Sequence, residues 1–116
     1  NKKVKLWGNG LQRREIIHVN DFILNLIKIN RKINNEIINI GYGRSYTIKK
    51  FAETICKILN YDHKKIIYDK SKYVGALNKK INIKKIKKII PAYQKNLTPL
   101  TKGLRETIKW YEKKFF

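Results

Sequence analysis

The sequence is poor in several residue types, and each shortage excludes a class of protein. Cys56 is the only cysteine among 116 residues, so no disulfide framework and no cysteine-based metal site can form within the chain. No apolar run approaches the roughly 18 residues of a membrane-spanning helix, and no signal-peptide pattern opens the sequence. We therefore expect a soluble, cytoplasmic protein without a bound metal.

Methionine is absent altogether, and the chain begins at Asn1. We expect it to be an incomplete chain, so that its function depends in part on segments outside it. The length fits one domain, residues 1–116, and the 42% of hydrophobic residues is enough to build a core.

Acidic residues are scarce too, with 8 against 28 basic ones and a net charge of +20. Such a charge favours anionic partners such as nucleic acid, anionic lipid or phosphorylated ligands. Lysine, isoleucine and asparagine, whose codons are all AT-rich, make up 55 of the 116 residues, so base composition explains part of the charge. The basic residues spread along the whole chain, which favours a solvated surface. A small basic nucleic-acid-binding module stays open as the alternative.

The residue patterns predict a mixed α/β chain with the order strand, strand, helix, strand, helix, strand, helix, helix. Strands are predicted at residues 4–7, 15–19, 36–40 and 65–68, and residues 70–80 have no period and are predicted to be a loop. Helices are predicted from residue 20 to 33, from 47 to 59, from 82 to 90 and from 98 to 111. These strands are too few for a complete doubly wound sheet, so some edges would pair with segments outside the chain.

Polar residues mark the predicted helix ends. Asn20, Thr47 and Asn82 are each placed to accept a hydrogen bond from the free amides of a first helical turn. Pro91 closes the third helix, and Pro99 is predicted at the first helical position of the last one, where its missing N–H does no harm.

The turn after the first strand combines groups that suit a ligand. Trp7 precedes Gly8-Asn9-Gly10, so a flat apolar ring lies beside accessible backbone. Arg14 follows seven residues later, after the chain has reversed, and a guanidinium donates paired, charge-assisted hydrogen bonds to a diphosphate. Both side chains could face one pocket, although a packed hairpin corner and a surface Arg–Glu pair would give the same residues.

Four segments, in order, resemble the extended short-chain dehydrogenase/reductases, the NAD-dependent epimerase/dehydratase family. Residues 7–21 are similar to W-G-x-G-x-x-x-R-E-F-x-x-V-D-D, in the tryptophan form of the GDP-L-fucose synthases. Residues 38–53 resemble I-N-V-G-x-G-x-x-x-T-I-R-E-L-A-E, residues 68–75 resemble F-D-x-S-K-P-D-G, and residues 100–111 resemble L-x-x-G-L-x-x-T-I-x-W-Y. Together the matches cover nearly the whole chain.

The resemblance implies that this chain is the C-terminal substrate-binding lobe of an NAD(P)-dependent epimerase or reductase. An absent Rossmann domain would hold NADP or NAD and the catalytic Tyr-x-x-x-Lys pair, so we expect no catalytic residue and no cofactor on this fragment. Tyr61 and Lys65 have the bare spacing of that pair, but they fall in a predicted turn. The full-length enzyme would be a homodimer, and no membrane or nucleic acid would be involved.

Carried over to this chain, Trp7 would stack on a nucleotide-sugar and Arg14 would bind its diphosphate. The implied substrate class is a GDP-4-keto-6-deoxy-sugar, and the fragment alone would be inactive. Two positions depart from the family pattern. Tyr73-Val74-Gly75 stands where the family has P-D-G, so the expected acid is Val74, and Leu77-Asn78 stands where it has P-R.

Overall fold

The computed structural model describes residues 2–116, which form a mixed α/β arrangement as the sequence predicts. Four helices carry most of the regular structure, and five strands, three of them only two residues long, connect them. The strands are β1 (Val4–Trp7), β2 (Arg13–Arg14), β3 (Tyr46–Thr47), β4 (Ile66–Asp69) and β5 (Asn78–Lys79). The helices are α1 (Val19–Asn30), α2 (Ile48–Ile58), α3 (Lys84–Ile89) and α4 (Leu100–Phe115). Short 3-10 helices lie at His63–Lys65 and Tyr93–Asn96.

The strands form two small sheets. β1 and β4 pair in parallel, with Val4 opposite Ile66 and Trp7 opposite Asp69. In the second sheet β2 is central, antiparallel to β3 and parallel to β5. Because Trp7 ends β1 and Arg14 ends β2, the turn between them joins the two sheets.

The buried core lies around α3 and the 3-10 helix that follows it. Ile86 is completely buried, and the Tyr93 side chain is 2% exposed. The hydroxyl of Tyr93 donates a hydrogen bond to the carbonyl of Gly41 at 2.7 Å, which satisfies a polar group inside an apolar cluster. The other buried members of the cluster are Ile29, Ile83, Ile90 and Leu97.

Two predicted strands are wrong. Residues 15–19 are irregular and then helical, and residues 36–40 are irregular throughout. Ile17, Ile38 and Ile40 pack against the core as partly buried side chains of an irregular backbone. The carboxylate of Glu15 binds the neighbouring backbone by a side-chain contact rather than by strand pairing. It accepts hydrogen bonds from the backbone N–H groups of Gly43 and Ile81, each at 3.0 Å.

The predicted helices are present, with shifts at their ends. Thr47 caps α2 as predicted and accepts from the N–H of Lys50 at 3.0 Å. The cap of α1 is His18 rather than Asn20, and Pro99 is the cap residue of α4 rather than its first helical residue. The predicted loop at residues 70–80 contains the short strand β5.

Helix α1 buries polar residues and exposes most of its large apolar ones, which is the opposite of what is expected for a helix on the surface of a complete domain. Asp21, Asn25 and Ile29 are its buried residues, whereas six large apolar residues are exposed: Val19, Phe22, Ile23, Leu24, Leu26 and Ile27. The radius of gyration is 16.8 Å, larger than the roughly 13 Å of a compact domain of about 100 residues. The chain is therefore open in shape and leaves much apolar surface uncovered.

Candidate functional site

The turn between β1 and β2 is fixed by backbone hydrogen bonds to helix α2. The carbonyls of Gly10 and Gln12 accept from the first two amides of α2, those of Lys49 and Ile48, at 2.9 and 3.0 Å. The buried side chain of Gln12 donates from Nε2 to the carbonyl of Trp7 at 3.1 Å. These bonds occupy free amides of the helix end and hold the turn that follows Trp7 in one conformation.

Arg14 is bound by a loop that lies far away in sequence. Its Nη1 donates to the carbonyls of Arg13 and Ala76 at 2.7 and 2.8 Å, and its Nη2 donates to the carbonyl of Val74 at 2.8 Å. The backbone supports the same junction, since the N–H of Arg13 donates to the carbonyl of Leu77 at 2.7 Å. The guanidinium therefore fixes residues 73–77, which we call the 73–77 loop, against the end of β2.

The pattern of these bonds decides what Arg14 can still bind. A guanidinium carries five N–H groups, two on each terminal nitrogen and one on Nε. Three are used by the carbonyls of residues 13, 74 and 76, so the Nε–H and the second N–H of Nη2 are left for a further acceptor. A guanidinium with N–H groups to spare can donate charge-assisted hydrogen bonds to the oxygens of a phosphate.

Glycine brings the 73–77 loop against the turn. Gly8 has φ +82°, and a Cβ placed on it would collide with Cγ1 of Val74, so the loop packs where only a glycine leaves room. Gly75 has φ +70° and lies in the left-handed region that turns the loop back toward Arg14. Val74, which replaces the expected acid, thus covers the glycine that follows Trp7.

Trp7 itself is 63% exposed at the end of β1. Arg14 is bonded to the loop to which Val74 belongs, and Val74 packs on Gly8, the residue that follows Trp7. A role of these two side chains in ligand binding stays a prediction. Sequence reasoning singled out the residues of the 73–77 loop but missed that the loop binds Arg14, because these contacts span 60 and 62 positions.

A concave region lies elsewhere, between α4 and the segment that leads into α1. This cavity of about 570 Å³ is lined mainly by apolar and aromatic side chains, with Trp110 at one side. His18 lies within it, with Nε2 3.3 Å from the Glu106 carboxylate and Nδ1 accepting from the N–H of Asn20 at 3.4 Å. Both ring nitrogens are therefore occupied by contacts that join the start of α1 to α4, which is a structural arrangement.

Two tyrosines line the same cavity. The rings of Tyr42 and Tyr46 are 6.3 Å apart, centroid to centroid. Burial, and then the neighbouring hydroxyl of Tyr46, raise the pKa of Tyr42 above its ordinary value of 10.0. Its phenol is thus neutral at physiological pH and can serve as a hydrogen-bond donor but not as an anionic base.

The Gly41-Tyr42-Gly43 turn does not fit a dinucleotide. The N–H of Gly43 is bonded to the Glu15 carboxylate, and the carbonyl of Gly41 accepts from Tyr93. A cofactor pyrophosphate needs free backbone N–H groups at such a turn, and a carboxylate beside it repels anions. The turn is therefore a tight connection between the irregular segment before it and β3.

Comparison with known proteins explains this combination of elements. Residues 1–41, which contain β1, the turn, β2 and α1, match the NAD dependent epimerase/dehydratase family. A "Probable GDP-L-fucose synthase 1" of Oryza sativa is 34% identical over 110 residues, 94% of this chain and 32% of that protein. The chain belongs to the NAD dependent epimerase/dehydratase family.

Two further members of the family extend the match. A "GDP-L-colitose synthase" of Yersinia pseudotuberculosis is 40% identical over 83 residues, 69% of this chain and 26% of that protein. The crystal structure of a dTDP-glucose 4,6-dehydratase from Bacillus anthracis, solved in complex with NAD, superposes with a TM-score of 0.81 at 30% identity. That superposition covers 97% of this chain and 35% of the dehydratase chain.

The family assignment confirms the resemblance seen in the four sequence segments, and it does not favour a nucleic-acid-binding module. The chain spans about a third of the length of the curated relatives it matches. Across residues 2–116, the helices are too short or too polar to cross a membrane.

Proposed function

We propose that this chain binds a nucleotide-diphospho-sugar through Trp7 and Arg14. The observation that carries the proposal is the guanidinium of Arg14, which three backbone carbonyls hold in place while they use three of its five N–H groups. Fixing a long charged side chain before the ligand arrives removes part of the entropic cost of binding. A pre-positioned guanidinium is therefore expected to bind a diphosphate more tightly than a mobile lysine would. The exposed ring of Trp7 supplies the apolar surface beside it.

The substrate class that we propose is a GDP-linked 4-keto-6-deoxy-sugar. Two relatives support it by name, a GDP-L-fucose synthase and a GDP-L-colitose synthase. In the whole enzyme this chain would act as the substrate-binding lobe of an NAD(P)-dependent epimerase or reductase. Its contribution to the rate would be orientation, since gripping the nucleotide holds the sugar in a fixed place.

The catalytic and cofactor-binding groups belong, in this proposal, to a Rossmann domain outside residues 1–116. The nicotinamide cofactor would transfer the hydride there, and a tyrosine and lysine of that domain would move the protons. The exposed apolar residues of α1, such as Phe22 and Leu26, supply a surface against which that domain would pack. The full-length protein is proposed to be a homodimer.

A calorimetric titration tests the proposal. The purified chain is titrated with GDP, and Arg14→Gln is compared with Arg105→Gln, which removes the same charge from the exposed face of α4. We expect Arg14→Gln to weaken binding about 10- to 100-fold, the range for a charge-assisted bidentate contact, and Arg105→Gln to leave it unchanged. Trp7→Ala is expected to weaken it about tenfold.

Equal losses from the two arginine variants would attribute the affinity to net charge and contradict the proposal. An activity assay with NADPH and a GDP-4-keto-6-deoxy-sugar separates binding from catalysis, because the chain by itself is expected to bind the sugar nucleotide without turnover. Cofactor oxidation by the purified 116 residues would contradict that part.

A further inference from the structure

The first turn contains a buried side chain that is only half satisfied. Gln12 is 7% exposed, and its Nε2 donates to the carbonyl of Trp7 at 3.1 Å. Its Oε1 is also buried, yet within the described residues 2–116 no group donates a hydrogen bond to it. Exchanging the two atoms by a rotation of the amide would place an acceptor against the Trp7 carbonyl, so it offers no relief. A buried acceptor without a donor lowers stability, and its presence calls for an explanation.

Close packing holds the amide of Gln12 beside Gly8. A Cβ added to Gly8 would lie 3.3 Å from both Nε2 and Oε1 of Gln12, and Cγ1 of Val74 would be closer still. The main chain of Gln12 is fixed as well, since its carbonyl accepts from the N–H of Ile48 at 3.0 Å. Gln12 therefore connects the start of α2 to the turn that follows Trp7.

The peptide unit between Trp7 and Gly8 is held at both of its polar groups. Its N–H, that of Gly8, donates to the carbonyl of Asp69 at 2.7 Å, and its carbonyl, that of Trp7, accepts from Gln12. Gly8 has φ +82°, and glycine adopts positive and negative φ about equally readily, so its backbone does not by itself select this orientation. Trp7 is largely exposed, so packing on its ring contributes little to its position. The two hydrogen bonds therefore determine the main-chain geometry from which the ring projects.

We infer that Gln12 is a positioning residue for Trp7. It holds the Trp7–Gly8 peptide in the orientation that presents the indole to the nucleotide, although its unpaired Oε1 lowers the stability of the turn. The inference rests on the proposed function, in which Trp7 stacks on the ligand. A side chain that served only the fold would not need a buried, unpaired acceptor, because an apolar one of the same length fills the space without it. Proteins commonly lose stability in favour of function at binding sites.

A double-mutant cycle tests whether Gln12 acts through Trp7. Gln12→Met keeps the length of the side chain and removes both polar atoms, and it is made in the unmodified chain and in Trp7→Ala. Calorimetry gives the affinity for GDP and for inorganic pyrophosphate, which has no base to stack. In the unmodified chain we expect Gln12→Met to weaken GDP binding about three- to tenfold and to leave pyrophosphate binding unchanged. In the Trp7→Ala chain we expect no further loss of GDP affinity.

A matched control and a second readout complete the test. Nε2 of Gln94 donates to the carbonyl of Tyr42 at the same 3.1 Å, so Gln94→Met removes an equivalent bond and is expected to leave GDP binding unchanged. In urea, Gln12→Met is expected to unfold at a concentration no lower than the unmodified chain, since the unpaired acceptor is removed together with the donor.

Three results would contradict these expectations. Unchanged GDP binding by Gln12→Met, with Arg14→Gln still defective, would overturn the inference and leave the proposed function intact. Equal loss of GDP affinity in the two backgrounds, or loss of pyrophosphate binding together with easier unfolding in urea, would also overturn it, since Gln12 would then support the turn as a whole. No binding of GDP by the unmodified chain would contradict the proposed function and the inference together.

Discussion

The carboxylate of Asp21 accepts two hydrogen bonds from Thr98, one from its N–H at 2.6 Å and one from its hydroxyl at 3.0 Å. This contact joins the first turn of α1 to the residue that precedes the Pro99 cap of α4, across 77 positions of sequence. It explains why α1 buries a charged residue and leaves Phe22 and Leu26 exposed, because the helix docks through its polar side.

Removing the Asp21 carboxylate should weaken the attachment of α1 to the segment before α4. We expect Asp21→Ala to lower the free energy of unfolding by about 2–3 kcal/mol, since two charge-assisted bonds are lost and a partly buried N–H is left without an acceptor. Asp21→Asn keeps one acceptor oxygen and is expected to lose less. Urea unfolding followed by circular dichroism measures both, with Glu112→Ala on exposed α4 as the control. Equal stability of Asp21→Ala and the control would contradict the role of this contact.

The core hydrogen bond from Tyr93 to Gly41 gives a second prediction. Tyr93→Phe keeps the ring and removes the donor, which leaves the carbonyl of Gly41 buried without its partner. The expected loss is about 1–2 kcal/mol in urea unfolding. Tyr73→Phe is the matched control, because that hydroxyl is at the exposed tip of the 73–77 loop and its removal is expected to change stability negligibly.

The thiol of Cys56 is expected to react slowly in the folded chain. Burial, and next the nearby Asp62 carboxylate, raise its pKa above the ordinary value of 9.0, so less thiolate is present at a given pH than in an unfolded chain. At pH 8 we expect iodoacetamide to label it at least about tenfold more slowly in buffer than in urea. A Cys56→Ala chain carrying Lys70→Cys in an exposed turn should react at similar rates in both solvents. Fast labelling of native Cys56 would contradict this.

The turn at Asp69 predicts how the 73–77 loop responds to acid. The hydrogen bond from the Ser71 hydroxyl holds the pKa of the Asp69 carboxyl below its ordinary value of 3.8. A depressed pKa contributes stability that is complete above the ordinary value and is lost as the pH falls through the lower, folded-state value. Asp69→Asn should therefore flatten the fall in melting temperature at pH below about 4, and Ser71→Ala should reduce it. Identical pH profiles for the three chains would contradict the assignment.

The sequence predicted α2 well because its local signals agree with one another. Thr47 provides the cap, and the apolar residues from Ile48 onward follow one helical face, so short-range chemistry alone determines the element. β1 and β4 were predicted for the same reason, as short apolar runs bounded by turn residues.

The two wrongly predicted strands are explained by the amino-acid composition. Residues 15–19 and 36–40 are rich in isoleucine, whose branched side chain favours strands, but an excess of isoleucine across the chain makes that signal unspecific. In the structure Ile17, Ile38 and Ile40 pack against the buried core, and the carboxylate of Glu15 accepts hydrogen bonds from the nearby backbone. Tertiary contacts, rather than local residue preference, therefore determine the conformation of these two segments.

The candidate site was predictable only in its local part. A tryptophan before a glycine turn and an arginine after it can be read from adjacent residues. The hydrogen bonds from Arg14 to Val74 and Ala76 cannot be predicted in this way. Their acceptors are main-chain carbonyls, which every residue has, so no residue type indicates them. The burial of Asp21 was missed for a similar reason, as its partner Thr98 lies in another element.

The parallel pairing of β1 with β4 has a consequence for how the chain acquires its structure. Val4 meets Ile66, 62 positions further along, so the β1–β4 pair cannot form until α1, β3 and α2 have been synthesised. Contacts of such long range close large loops and slow folding. On the ribosome β1, which ends at Trp7, would gain this partner only when β4 emerges from the exit tunnel. The surface that we propose for the nucleotide would therefore be among the last parts of the chain to mature.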